Sequence, residues 1–135
     1  MTRKDTLMTK DRPAAPETVG NEGGFEKLLH TIQSREARVA VMGLGYVGLP
    51  LVRLYASKGF RVIACDIDQS KIDSLNRGRS YIRSVPSSAI AKYLANKQLL
   101  ATSDFRNLAS ADAIFVCGPT PLTVEGKPDV SAIRQ

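Results

Sequence analysis

The sequence lacks the features on which several common functional classes depend. No apolar run approaches the roughly 20 residues that a membrane-spanning helix needs, and residues 1–20 contain no hydrophobic core of a secretory signal peptide. The chain has only two cysteines, Cys65 and Cys117, in apolar stretches without C-x-x-C spacing, and one histidine, His30, without a catalytic partner at a recognisable spacing. We therefore expect a cytoplasmic chain with reduced, buried thiols and with no membrane span, disulfide or metal site.

The excess positive charge lies in the C-terminal part of the chain. The 135 residues carry 19 lysines and arginines against 13 acidic residues, a net charge of +6, and residues 1–37 hold six of each sign. Residues 38–135 therefore hold the whole excess, but its basic side chains are scattered and form no block. A solvated surface explains such a distribution better than nucleic-acid binding does. The length permits one small domain or part of a larger one.

Three segments with different patterns follow one another. Residues 1–24 are polar and rich in proline and glycine, which predicts a flexible tail. The next apolar residues recur at i, i+3, i+4 and i+7 and are Phe25, Leu28, Leu29 and Ile32. This spacing predicts a short amphipathic helix over residues 25–37, packed against the domain that follows. Residues 38–135 form that domain.

The domain alternates between strand and helix patterns. Short apolar runs predict buried strands at residues 38–42, 61–65, 99–102 and 112–117. Helical spacing predicts helices at residues 46–58, 70–76 and 87–96, and Asp129 is a candidate N-cap for a last helix. Parallel neighbours need helical crossovers, so we expect an α/β, Rossmann-type doubly wound parallel sheet with strand order 3-2-1-4. Because only the first four strands are present, we expect an incomplete sheet whose fourth strand is an exposed apolar edge.

The first two helices of the domain allow more detailed predictions. In the helix over residues 46–58 we expect the inward side chains to be Val47, Leu51, Leu54 and Tyr55. Its left-handed terminal residue is predicted at Gly59. For the next helix, Ser70 is a candidate N-cap and Gly78 the terminating residue. Asp68 and Asp73 are also expected near its start, where a carboxylate caps the helix and complements its dipole.

Residues 43–48, with the sequence GLGYVG, carry the strongest chemical signal. The motif follows a predicted strand, opens a helix, and precedes a second strand ending in Asp66, 18 residues after Gly48. Gly43 permits the tight turn, Gly45 lets the backbone approach a pyrophosphate, and Gly48 allows close helix packing. Asp66 can accept hydrogen bonds from both adenosine ribose hydroxyls and would repel a 2′-phosphate. The pattern predicts a dinucleotide site that prefers NAD to NADP.

Several segments beyond this motif resemble one enzyme family. Residues 45–51, 66–68 and 118–122 resemble the N-terminal domain of the UDP-glucose/GDP-mannose dehydrogenase family. Within that family, residues 75–82 (LNRGRSYI) and 101–105 (ATSDF) look most like the bacterial UDP-N-acetylglucosamine 6-dehydrogenases. The likeness covers about residues 25–135.

The resemblance implies a reaction and a set of cofactor contacts. The sugar C6 alcohol is oxidised to a carboxylate by two NAD, through covalent intermediates on a catalytic cysteine. Tyr46 and Val47 match positions whose backbone faces the pyrophosphate, and Asp66 matches the acidic residue at the ribose. Lys71 matches a basic residue beside the adenosine, and Thr120 matches a threonine on the cofactor side of strand 4.

The chain departs from the family pattern in two respects. Gly118 stands where the family usually has valine, and glycine at this position would loosen the loop that presents Thr120. Neither cysteine matches the family's nucleophile, and the parts that match its catalytic residues and UDP-sugar domain would follow Gln135. We therefore expect no catalytic residue here, a fragment inactive alone, and a UDP-sugar substrate only for the full-length parent. The alternative is a free-standing nucleotide-binding or interaction module that another chain completes, with self-association through the exposed sheet edge.

Overall fold

Among the described residues, the fold is a four-stranded parallel sheet with three α-helices packed on one face and a 3₁₀ helix on the other. The computed structural model describes residues 22–119, 121–131 and 134. Residues 1–21 of the predicted tail therefore lie outside the described residues. The strands are β1 (Arg38–Met42), β2 (Arg61–Cys65), β3 (Leu99–Thr102) and β4 (Ala113–Val116). Their order is β3-β2-β1-β4, and all three pairings are parallel. This confirms the predicted fold class.

Five helical segments accompany the sheet. They are α1 (Glu22–Gln33), α2 (Gly48–Ser57), α3 (Gln69–Asn76), α4 (Ser87–Ala95) and a 3₁₀ helix (Phe105–Ser110). Of the predicted last helix, residues 132, 133 and 135 lie outside the described residues, whereas Val130 and Arg134 are described and are not helical. At its expected start, the Asp129 carboxylate accepts a hydrogen bond from the Ser131 amide at 2.9 Å. No helix within the described ranges is long and apolar enough to cross a bilayer.

The sheet separates a large core from a small one. Alternate residues of β1 and β2 point to opposite faces, so each strand contributes apolar side chains to both cores. The large core joins the sheet to α2, α3 and α4 and includes Val41, Val62 and Ala64. The small core lies under the 3₁₀ helix and contains Ala40, Ile63 and Cys65 as its buried residues. The site-bearing ends of the strands are thus fixed by buried contacts on both sides.

The inward face of α2 differs from the prediction. Its buried residues are Gly48, Leu49, Val52 and Ala56, whereas Val47 and Leu54 are exposed and Leu51 and Tyr55 are partly buried at the edge of the core. The cause is Gly48: a Cβ there would overlap the Gly43 carbonyl oxygen, so this position faces the sheet and sets the helix rotation. The predicted end of the helix is confirmed, since Gly59 has φ +91°.

The N-cap of α3 is Asp68 and not Ser70. Asp68 has an extended backbone, and its Oδ1 accepts a hydrogen bond from the Ser70 amide at 2.9 Å. Ser70 lies in the first turn and donates its own hydroxyl to the same Oδ1 at 2.6 Å. The cap therefore comes directly after β2, which ties the start of α3 to the strand end that carries Asp66. The predicted end is confirmed by Gly78, with φ +71°.

The amphipathic helix predicted for residues 25–37 spans Glu22–Gln33 as α1, and its packing against the domain was predicted wrongly. The stripe residues Phe25, Leu28, Leu29 and Ile32 are all exposed. A left-handed turn at Arg35 (φ +64°) leads the chain into β1, and Ala37 is buried with Val39 and Phe60 in a separate small cluster. The exposed apolar edge predicted for the fourth strand is confirmed: Ile114, Phe115 and Val116 of β4 are all exposed.

Candidate functional site

A cavity of about 570 Å³ opens at the carboxyl ends of β1, β2 and β4. Its walls include Gly43, Gly45, Asp66, Lys71, Phe105 and Gly118. β1 is the strand at which the connection order of the sheet reverses, because β2 lies on one side of it and β4 on the other. In open α/β sheets, ligands bind in the crevice at such a switch point.

The three glycines of the motif have different structural requirements. Gly43 has φ +86°, and a Cβ there would lie 2.9 Å from the Cys117 carbonyl. Gly48 has no room for a Cβ because of the Gly43 oxygen. A Cβ on Gly45, by contrast, would meet no atom within 4 Å in the part of the chain that the structure describes. Folding therefore requires glycine at positions 43 and 48, whereas the space at Gly45 is left open toward the cavity.

The start of α2 presents unpaired donors beside that open space. Within the described part of the chain, the amides of Gly45, Tyr46 and Val47 have no hydrogen-bond acceptor. No side chain caps the helix, and no acidic residue lies in its first turn. The side chains of Tyr46 and Val47 are 86% and 64% exposed. An anion at this point would meet backbone N–H groups and the positive end of the helix dipole.

Asp66 is the one buried charged residue among those described. Its Oδ2 accepts from the Leu44 amide at 2.8 Å, and its Oδ1 accepts from the Asp68 amide at 2.9 Å. Burial alone would raise the pKa of this carboxyl, but the two amide hydrogen bonds and the charge of Lys71 outweigh it and lower the pKa below its usual value. Asp66 is therefore held as a carboxylate at the end of β2.

Lys71 lies one turn into α3 and reaches back to the same carboxylate. Its Nζ is 3.3 Å from Asp66 Oδ2, and its side chain remains about one-third exposed. The structure thus brings Asp66 and Lys71 together on the cavity wall. Thr120 lies outside the described residues. Gly118 borders the cavity, and a Cβ there would meet no atom of the described residues within 4 Å.

Sequence reasoning missed Tyr81. Its hydroxyl donates to the carbonyl oxygen of Leu44, within the glycine motif, at 2.7 Å. The two residues are 37 positions apart, and no local pattern signals their contact. The role of a tyrosine between α3 and α4 can be recognised only from the structure, which shows that this segment lies against the glycine motif.

The two cysteines occupy different surroundings. Cys65 is buried in β2, and burial raises the pKa of its thiol, with a smaller contribution from the charge of Asp104. Cys117 is half-buried and borders the cavity. No group of three or more metal-ligating side chains occurs among the described residues.

The sheet order, the glycine turn into α2 and the acidic residue ending β2 define a dinucleotide-binding domain. The chain belongs to the UDP-glucose/GDP-mannose dehydrogenase family, whose NAD-binding domain matches residues 37–135. NAD is accordingly the cofactor of this domain.

Curated relatives match most of this chain with a limited part of their own sequences. The UDP-glucose 6-dehydrogenase of Haloferax volcanii is 32% identical over 71% of this chain and 22% of its own length. The UDP-N-acetyl-D-mannosamine dehydrogenase of Escherichia coli is 33% identical over 73% of this chain and 23% of its own length. The chain spans about a tenth to a quarter of the length of the curated relatives that it matches.

A solved structure supports the same fold. The GDP-mannose dehydrogenase of Pseudomonas aeruginosa, solved as a ternary complex, superposes with a TM-score of 0.65 and 31% sequence identity. The superposition covers 71% of this chain and 22% of that one. The described sheet therefore has the same fold as about a fifth of that longer chain.

Proposed function

We propose that this chain is the N-terminal NAD-binding portion of a cytoplasmic nucleotide-sugar 6-dehydrogenase that oxidises UDP-N-acetylglucosamine to UDP-N-acetylglucosaminuronate. Such a product is an acidic building block for polysaccharide biosynthesis. One observation carries the cofactor site: the open space at Gly45 adjoins three backbone amides without an acceptor. A helix start of this kind fits the pyrophosphate of NAD.

The contacts assigned to individual residues are part of this proposal. The amides of Gly45, Tyr46 and Val47 bind the pyrophosphate, with Gly43 and Gly48 shaping the turn. Asp66, already a carboxylate in the structure, accepts the ribose hydroxyls, and Lys71 lies beside the adenosine. Thr120, which follows β4 in the sequence, is assigned to the cofactor by the family resemblance alone.

The proposed sugar rests on the sequence of two segments. Residues 75–82 and 101–105 resemble the bacterial UDP-N-acetylglucosamine 6-dehydrogenases. The named relatives act on other sugar nucleotides, so the substrate has to be tested directly. The proposal places the nucleophilic cysteine and the sugar site in the remainder of the enzyme. The 135-residue chain is therefore expected to bind NAD without reducing it.

Calorimetric titration of the chain tests the cofactor assignment. We expect saturable binding of NAD and weaker binding of NADP, because the Asp66 carboxylate repels a 2′-phosphate. We also expect no NADH after UDP-N-acetylglucosamine and NAD are added together. Absence of NAD binding would contradict the proposed site, and sustained NADH formation would contradict the assignment of catalysis to the remainder of the enzyme.

A second assay tests the substrate. The chain is joined to the reading frame that follows codon 135 and is offered UDP-N-acetylglucosamine, UDP-N-acetylmannosamine, UDP-glucose and GDP-mannose in turn. The proposal expects NADH with the first substrate at the highest kcat/KM. A higher kcat/KM with any of the other three would refute the proposed sugar.

The exposed edge of β4 favours a second candidate function. Among the described strands β4 pairs only with β1, and Ile114 and Val116 are exposed, so its outer edge can accept another strand. In this alternative the chain is a separate nucleotide-binding module that another polypeptide completes. Dehydrogenase activity that appears only on mixing with a separately encoded catalytic half would favour the module over the covalent fragment.

A further inference from the structure

Leu44, the residue between the first two glycines of the motif, is held from three directions. Its side chain is fully buried. Its amide donates to Asp66 Oδ2 at 2.8 Å, and its carbonyl oxygen accepts the Tyr81 hydroxyl at 2.7 Å. The fold explains why the Leu44 side chain is buried, and the acidic residue after β2 explains the hydrogen bond of its amide. The third contact comes from a segment that the cofactor motif does not include.

That segment, between α3 and α4, is itself anchored. Ile82 and Val85 are buried in the large core. The Ser80 amide donates to Ser87 Oγ at 3.0 Å, and Arg53 of α2 donates from Nη1 to the Ser84 carbonyl at 2.9 Å. The Tyr81 ring is therefore carried by a fixed backbone. Its hydroxyl has a defined position relative to the glycine motif.

The phenol remains a donor throughout the physiological pH range. Burial raises the pKa of Tyr81, and the nearby charges of Asp66 and Asp68 raise it further. Since the Leu44 carbonyl can only accept, the protonated hydroxyl is the form that this contact needs.

The geometry of the peptide bond turns this contact into a constraint on the cofactor site. In a trans peptide, the carbonyl of one residue and the N–H of the next lie in one plane and point in opposite directions. The direction of the Leu44 carbonyl therefore sets the direction of the Gly45 N–H. That N–H has no acceptor among the described residues, and Gly45 borders the cavity whereas Tyr81 does not.

We propose that Tyr81 is a positioning residue for the pyrophosphate of NAD, acting by fixing the Leu44–Gly45 peptide so that the Gly45 N–H faces the ligand. The inference rests on the proposed cofactor site and adds a residue to it. A donor fixed before binding loses less conformational freedom when the ligand arrives, which strengthens binding without any contact between Tyr81 and NAD.

The test compares Tyr81→Phe with Tyr93→Phe in the full 135-residue chain. Both changes remove only a hydroxyl oxygen, and Tyr93 is a buried tyrosine of α4 whose hydroxyl makes no hydrogen bond within the described residues. NAD and adenosine are titrated against each variant, and the Gly45 amide is followed by ¹⁵N–¹H NMR. Adenosine is the informative second ligand because it has no pyrophosphate.

We expect Tyr81→Phe to weaken NAD binding by roughly 3- to 10-fold, the loss that one neutral hydrogen bond represents. Adenosine binding should change by less than about twofold, because adenosine does not contact the Gly45 N–H. The Gly45 amide resonance should shift, because the peptide that carries it is no longer fixed. Tyr93→Phe should change none of these. Unchanged NAD affinity, equal weakening of both ligands, or loss of the cooperative melt in Tyr81→Phe would each overturn the positioning role. An unmodified chain that binds adenosine but not NAD would instead refute the proposed pyrophosphate site.

Discussion

Asp66 serves both the fold and the proposed ligand. Its two oxygens already accept from the amides of Leu44 and Asp68 and from Lys71. A carboxylate has about four acceptor positions, so a ribose diol with two hydroxyls has to displace one donor. Lys71 is the candidate, because its 3.3 Å contact is longer than either amide contact and its side chain is partly exposed. We therefore expect Lys71 to move away from Asp66 when NAD binds.

The first prediction concerns cofactor preference. Asp66→Asn keeps one acceptor oxygen but removes the charge, so NAD binding should weaken by roughly 1.5–3 kcal/mol, the range for hydrogen bonds to charged groups. NADP should lose less affinity or gain some, since repulsion toward the 2′-phosphate is removed while Lys71 remains. Calorimetric titration with both cofactors measures the change. Asp73→Asn, an exposed carboxylate of α3, is the control, and an unchanged NAD/NADP ratio in Asp66→Asn would refute the ribose assignment.

The second prediction follows from the lowered pKa of Asp66. A group whose pKa is lower in the folded state stabilises the fold above its unfolded pKa, near 3.8, and loses that contribution as the pH falls through the folded value. The stability difference between the unmodified chain and Asp66→Asn should therefore be full near pH 6 and shrink below about pH 4. Denaturant unfolding across this range measures it. A difference that stays constant down to about pH 2 would contradict the lowered pKa.

At the scale of the elements, the turn that joins β1 to α2 contains different glycines for folding and for ligand binding. Gly48 lies against the Gly43 carbonyl with no room for a Cβ, whereas Gly45 has open space. The same glycine motif therefore contains one position that the packing requires and one that the packing leaves free.

The third prediction uses this contrast. Gly48→Ala should abolish the cooperative melt, because the added methyl overlaps backbone that cannot move without displacing β1. Gly45→Ala should keep its melting temperature within a few degrees, the size expected for a surface change of about 0.5 kcal/mol. It should nevertheless lose most NAD affinity, since the methyl occupies the proposed pyrophosphate space. Thermal melts measure the stability of both variants, and titration measures their NAD affinity. If Gly45→Ala binds NAD as well as the unmodified chain, the pyrophosphate does not lie at Gly45.

The elements themselves could be predicted because their signals are local. The buried strands read as short apolar runs, and Gly59 and Gly78 mark helix ends where the backbone adopts positive φ. The rotation of α2 could not be predicted from its apolar spacing, because close packing at Gly48 sets it. The contact of Tyr81 with Leu44 depends on tertiary placement over 37 residues, which no periodicity encodes.

For the molecule as a whole, two of the described elements each expose three or more large apolar side chains. One is the edge of β4, and the other is the stripe on α1 that includes Phe25 and Leu28. Edge strands with apolar side chains promote association between chains. Single exposed residues would need no explanation, but both surfaces are contiguous along their elements.

The fourth prediction is concentration-dependent self-association through β4. Ile114 is 48% exposed, so Ile114→Lys should shift the sedimentation equilibrium toward monomer at little cost in melting temperature. Phe115 is unsuitable for this test because it stacks on Tyr55 with ring centroids 5.1 Å apart. Leu28→Lys on α1 is the matched control. If Leu28→Lys, and not Ile114→Lys, releases the monomer, then α1 forms the interface.

The central position of β1 also determines when the cofactor site can form. β1 pairs with β2, the next strand along the chain, but its other neighbour is β4, which follows Asp112, 74 residues after Arg38. Gly43 rests against the Cys117 carbonyl, so the glycine turn has its final support only after β4 has docked. Pairings over such sequence distances form slowly because the intervening chain must first be ordered. In a refolding experiment, the ability to bind NAD should therefore appear after most of the helical signal has recovered.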